Sequence, residues 1–266
     1  MKDESKKLWD PWYLDADHVY CKQTGPLRMW LEHREDELHV AAKIASTEDA
    51  ADTGEIKDKP EALEWRRWIC GKEKVRAVLE PRLPDRAIVV RPLMPVTVLP
   101  NCEVEFYVSV PIRVAVRIFN GNTNERRDIC EETTVKLSNS WFGLPVEGEL
   151  CYALKTRARR RLEELRPDVN LAICPVTVRN SHTKELTFER ICLRMRHLSI
   201  YSGDNHLWTN RGIMDYHGED DLTKITFEET PPACDGAKQV LAAPRDPEKK
   251  NLMMRAFGNF KSMSIL

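Results

Sequence analysis

The stretch YSGDNHLWTNRGIMDYHGEDD, residues 201–221, places two imidazoles among several carboxylates. Asp204, His206, Asp215, His217 and Glu219 are the residues in it that could ligate a divalent cation, since nitrogen and oxygen donors of this kind suit such ions. His217 and Glu219 stand two apart and would share one side of a strand. The H-E-x-x-H spacing of a helical zinc site is missing. Asp, Asn and Gly are also ordinary turn formers, so a plain polar loop accounts for the same composition. A divalent metal is therefore the one cofactor class the chain suggests, and no other cofactor is expected.

A second stretch, SNSWFGLPVEGELCY, joins Trp141 and Phe142 to two glycines and a proline. Trp141 and Phe142, with Trp208 of HLWT, are candidate aromatic contacts for a sugar, base or peptide. The competing expectation is a tight connection whose rings plug the end of a sheet pair. TRARRRL clusters Arg157, Arg159, Arg160 and Arg161, but Glu163 and Glu164 follow and no aromatics interleave. No nucleic-acid partner is expected there. The eight cysteines include no C-x-x-C pair, so they are expected to be structural free thiols. Nucleophile elbows, dinucleotide fingerprints and phosphate loops are missing from the sequence as well.

The chain of 266 residues carries 41 basic and 42 acidic side chains, for a net charge of −1. Such balance supplies no overall attraction to nucleic acid or anionic lipid. The opening MKDESKKLWDPWYLDAD lacks the apolar core of a signal peptide. No apolar run reaches the ~20 residues of a membrane span. A cytoplasmic protein without a transmembrane segment is expected.

The elements that must position these residues read as β. From Val104 to Ile118 every second residue is apolar, a period that fits one buried strand face and excludes a helix. Pro111 falls in the other phase, so a bend or crossing is expected there. PLRMWL, the charged turn HREDE and LHVAAKIA read as a hairpin. PVTV occurs at Pro95 and again at Pro175, each opening a strand ahead of a turn and a longer apolar stretch, so the same corner built twice is expected, with chance recurrence of four common residues as the alternative. Leu186 and Phe188 keep one phase and Ile191, Leu193 and Met195 the other, which predicts a bulge near Glu189 and Arg190. Pro247 followed by Met253, Ala256, Phe257, Phe260 and Met263 predicts a short amphipathic C-terminal helix, flanked by Lys249, Lys250, Arg255 and Lys261. That helix would dock on the chain itself or on a protein partner, lie on a membrane surface, or pair with a second copy in a homodimer. The expected fold is mostly β, with antiparallel sandwich-like units: a β-rich segment over 1–85, sandwich-like units over 86–165 and 166–246, and the helix over 247–266.

LSNSWFGLPVEGELCYALKTRAR, then PVTVRNSHTKELTFERICLRMRHLSIY, then HLWT, follow an order that resembles the domain of unknown function 432 family, over roughly residues 85 to 260. The resemblance implies a prokaryotic protein. Some such proteins are encoded near small-conductance mechanosensitive channels, and the resemblance brings no catalytic residues with it. The function expected is non-enzymatic, a cytoplasmic binding or accessory protein coupled to such a channel. The alternative is a metal-dependent or carbohydrate-active enzyme using residues 204–221.

Overall fold

A computed structural model describes residues 8–45, 54–56, 60, 62–120, 125–166, 168–218, 222–247 and 251–258. These residues are overwhelmingly strand, arranged in sheets whose pairs are mostly antiparallel. No helix among them is long and apolar enough to cross a membrane. The chain forms two compact units that interleave in sequence. One comprises Met1–Arg82, Ile112–Lys136 and Asp168–Asn170; the other comprises Leu83–Pro111, Leu137–Pro167 and Leu171–Leu266.

In the first unit, Val19–Thr24, Leu27–Arg34 and Glu37–Ile44 make a meander, edged by Gly54–Ile56 and Arg66–Ile69. The charged turn closes as a two-residue connection with Glu35 at φ 55°. A second sheet runs Trp12–Leu14, Val75–Arg82, Arg113–Asn120, Arg126–Thr133. Its inner residues Val114, Val116 and Ile118 are buried, as the period of two requires. The other phase departs from expectation, because Arg117 is only 1% exposed. It survives burial because Glu80 pairs with its guanidinium and Asp128 accepts from its Nε at 2.6 Å.

In the second unit, the ten-residue strands Cys102–Pro111 and Leu171–Asn180 pair along their whole length, Cys102 opposite Asn180 and Pro111 opposite Leu171. Val104, Phe106, Val108 and Val110 point to one face and are buried. The bend expected at Pro111 is present: the next strand, starting at Arg113, belongs to the other unit. The far edge of Leu171–Asn180 carries two short strands end to end, both parallel to it. Leu207–Thr209 pairs with Ala172 and Ile173, and Gly212–Tyr216 pairs with Val176–Asn180. A five-stranded sheet runs Ser138–Phe142, Glu149–Ala158, Ile88–Pro92, Arg190–Leu193, Phe257–Gly258.

Three expectations are corrected. Among the described residues the C-terminal amphipathic helix is not seen. Asn251–Arg255 pairs with Leu222–Thr226 and Phe257 pairs with Ile191, so this segment closes the edges of two sheets. Two open edges offer a row of backbone partners, whereas a short isolated helix is marginal in water. Lys249, Lys250, Phe260, Lys261 and Met263 lie outside the described residues. The two PVTV copies are not one corner built twice. Val96–Val98 is a short strand in a two-stranded sheet, while Pro175 lies inside Leu171–Asn180. The phase slip near Glu189 is a change of sheet rather than a bulge in one strand: Leu186–Phe188 pairs with Val96–Val98, and Arg190–Leu193 enters the five-stranded sheet. The arginine-rich stretch leaves the strand that ends at Ala158 and enters a single 3-10 turn, Leu162–Glu164.

Replacing Arg117 by Ala should cost about 2–3 kcal/mol: a fully buried side chain and its pairs with Glu80 and Asp128 are lost, while Arg82, 3.1 Å from Glu80, still offsets that carboxylate's charge. Urea denaturation checks this; a loss below about 1 kcal/mol would mean the pair is not a structural necessity.

Candidate binding site

The site lies on the face of the second unit's large sheet that carries Glu105, Tyr107, Ile173 and Thr177, opposite to the Val104–Val110 face. At its centre are Ile173, Tyr201, Trp208 and Ala237, with Tyr107, Leu162, Leu165 and Cys234 packed against them. Polar groups border this buried apolar cluster.

One border forms where the two end-to-end strands break, at Asn210 and Arg211. Asn210 is buried and fully used: its amide donates to the Glu228 carbonyl at 2.7 Å and to the Tyr201 hydroxyl at 3.2 Å, and its oxygen accepts from Ser199 N–H at 2.7 Å. A satisfied amide of this kind fixes the break. Arg211 then reaches back to pair with Glu105 and donates to Thr177 Oγ1 at 3.1 Å. Partial burial opposes its charge, but the Glu105 hydrogen bond and carboxylate outweigh this and hold Arg211 above its ordinary value. The Tyr107 hydroxyl donates to Glu105 at 2.9 Å. Burial, then that hydrogen bond, pushes Tyr107 up to about 12, so it stays protonated.

The other border is built on Asp235. Asp235 and Gly236 both have positive φ, 51° and 60°, so the Asp-Gly step is a left-handed turn. The Asp235 carboxylate accepts from Asn205 N–H, Asn205 Nδ2, His206 N–H and Trp208 Nε1 at 2.6 to 3.1 Å. Its carbonyl accepts from Asp204 N–H at 2.6 Å. Gly203 makes room, since a Cβ there would sit 2.6 Å from Asp235 Oδ2. Burial pushes the Asp235 carboxyl up, but the donors from Trp208, Asn205 and His206 outweigh it and hold it below the usual range.

The same carboxylate lies 3.2 Å from His206 Nδ1. A carboxylate accepts only, so Nδ1 is the donor, and in that tautomer Nε2 holds the lone pair. His206 Nε2 is buried and has no hydrogen-bond partner among the described residues. The ring stands edge-on to Trp208, 5.8 Å between centroids. Cys234, next to Asp235, is held as a neutral thiol: burial, then the Asp235 charge, pushes it up.

Of the five metal candidates, Asp204 and His206 share the Asp235 turn. Asp215 is opposite Arg179, eight positions along Leu171–Asn180 from Leu171, or about 26 Å at the usual strand rise. There it pairs with His217 at 3.5 Å and accepts from Ser181. Glu219 lies outside the described residues. The two described clusters are too far apart to share one ion. Trp208 is fully buried, and Phe142 packs into a different cluster, so neither ring face is open. Trp141 is 44% exposed, and its Nε1 donates to the Leu144 carbonyl at 3.0 Å. Sequence reading missed Asp235, Arg211, Glu105 and Tyr107. The Asp-Gly step marks a turn, but nothing local says that its carboxylate caps a segment 30 residues away.

The chain matches the family described as "Protein of unknown function (DUF432)" over residues 8–263, and it belongs to that family. The likeness thus extends well before residue 85. No curated protein and no solved structure matches it.

Asp235→Ala should lose about 2–4 kcal/mol, because several donors are left without an acceptor. As the folded Asp235 carboxyl is lowered, its stabilisation is complete above about pH 4 and disappears as pH falls through the folded value. Denaturation at pH 7 and pH 3 checks both. An Ala variant as stable as the parent at pH 7 would contradict the role given to this carboxylate.

Proposed function

We propose that this protein is a prokaryotic cytoplasmic binding protein, not an enzyme, whose ligand gives an N–H or O–H to His206 Nε2. The observation that carries the reading is the orphaned Nε2 of a ring already oriented by Asp235. A buried acceptor without a partner costs free energy, which a ligand donor recovers on binding. Ile173, Tyr201, Trp208 and Ala237 beside it are buried and hold the surroundings of the ring in place.

The neighbouring groups favour binding over turnover. Glu105 is engaged by both Arg211 and Tyr107, and Asp235 by several donors. Tyr107 keeps its proton and Cys234 stays a thiol, a poor nucleophile. The enzyme alternative on residues 204–221 draws support from the His206–Asp235 pair, which also suits a general base. The setting we propose, an accessory role beside a small-conductance mechanosensitive channel, rests on the family resemblance alone.

Thermal melting against polyols, nucleobases and free amino acids tests the reading. A ligand at about one hundred times its Kd should add about 2.7 kcal/mol of stability to the parent and none to His206→Ala. Chemical conversion of the ligand, or an equal gain in the Ala variant, would contradict it.

A further inference from the structure

The five-stranded sheet of the second unit contains a group of chemistry-bearing side chains remote from His206. Glu149 and Cys151 lie two residues apart on one strand, and Cys192 lies on another. Between them runs Ile88–Pro92: Tyr152 pairs with Ile88 on one side, and Cys192 pairs with Val89 on the other. Both thiols are completely buried beside Ala87, Val89 and Phe142. Cys151 Sγ and Cys192 Sγ are 3.9 Å apart, and Cys192 Sγ is 3.8 Å from Glu149 Oε1. The ligand atoms of all three residues lie within 4.8 Å of one another.

Two buried thiols this close invite a disulfide, but the sheet argues against it. Their strands are separated by an intervening strand, so their backbones are about two spacings, ~9.5 Å, apart. A disulfide needs Cα atoms within about 7 Å. A tetrahedral ion fits instead. Two thiolates at ~2.3 Å from a zinc ion stand about 3.8 Å apart, and a thiolate and a carboxylate oxygen about 3.6 Å. A linear two-thiolate ion at the same bond length would need about 4.6 Å.

We propose that Glu149, Cys151 and Cys192 bind zinc as a three-residue site with a fourth position open. Arg194 is the positioning residue. Its guanidinium pairs with Glu149 Oε1 and donates to the Cys192 carbonyl at 3.1 Å, with its side chain 8% exposed. A carboxylate has lone pairs enough to serve a guanidinium and a metal together. The charges balance in both states. Without metal, Arg194 and Glu149 neutralise each other and both thiols keep their protons. On binding, two S–H bonds break, two S–Zn bonds form, two protons leave, and one divalent cation replaces them. Glu149, at 36% exposed, is the route of entry to the buried sulfurs.

Soft thiolates select zinc over magnesium or calcium. Residues 204–221 contribute nothing, so this site stands or falls independently of the His206 reading.

The test uses full-length protein, reduced, stripped with chelator, and titrated with Zn2+ and with Co2+ as a spectroscopic probe. One equivalent should bind, with a thiolate-to-cobalt charge-transfer band and intense visible bands of a tetrahedral ion. Cys151→Ser/Cys192→Ser should lose the band, and Glu149→Gln should weaken binding about 10–100-fold. His206→Ala should bind as the parent does. If the double variant fails to fold, zinc titration of the native parent in weak buffer replaces it: two protons should be released for each ion bound. Zinc uptake without proton release, absence of the cobalt band in the parent, or a Cys151–Cys192 disulfide found by mass spectrometry would overturn the proposal.

Discussion

The antiparallel ladder between Cys102–Pro111 and Leu171–Asn180 is the constraint on which the second unit depends. Ten paired residues fix which side chains face which way, and a slip of one residue would turn every one of them over. In the observed register Val104, Phe106, Val108 and Val110 are buried on one face, at about 1.5–3 kcal/mol for each large side chain. The same register puts Glu105 opposite Thr177, and Arg211 bridges the two. The far edge of Leu171–Asn180 seats both short strands, and so sets how far the Asp235 turn lies from the Asp215 end.

Around that frame, polar groups are settled by local accounting. Asp235 satisfies the donors of a tight turn, Asn210 satisfies the break between two strands, and Arg117 in the first unit is neutralised by Glu80 and Asp128. Each is a buried polar group whose partners lie far away in sequence, the arrangement that makes such groups affordable inside a protein. His206 Nε2 is among the buried atoms with no hydrogen-bond partner in the described residues, and it belongs to a ring whose other nitrogen faces Asp235.

How much of this was legible depended on whether the signal was local. The run Val104–Ile118 stated its own structure, since alternation over fifteen residues has one reading, and Pro111 marked the crossing. The Glu35–Asp36 turn was equally plain. The C-terminal segment misled because a few Met and Phe residues fit a 3.6 stripe, while its strand partners at Leu222–Thr226 and Ile191 are invisible to spacing. Arg117 sat in the phase expected to be wet, and only Glu80, from another strand, explains its burial. The site divided in the same way. His206 was visible as a candidate by residue type, but Asp235, Arg211 and the Cys151–Cys192 approach are products of sheet order.

The account of the binding site comes down to the protonation of one ring. Nitrogen-15 NMR of histidine-labelled protein reads it directly through the His206 imidazole shifts, assigned by comparison with His206→Ala. The account predicts the tautomer whose proton sits on Nδ1, facing Asp235. A ring protonated on Nε2, or exchanging freely between both forms as in an exposed histidine, would contradict it.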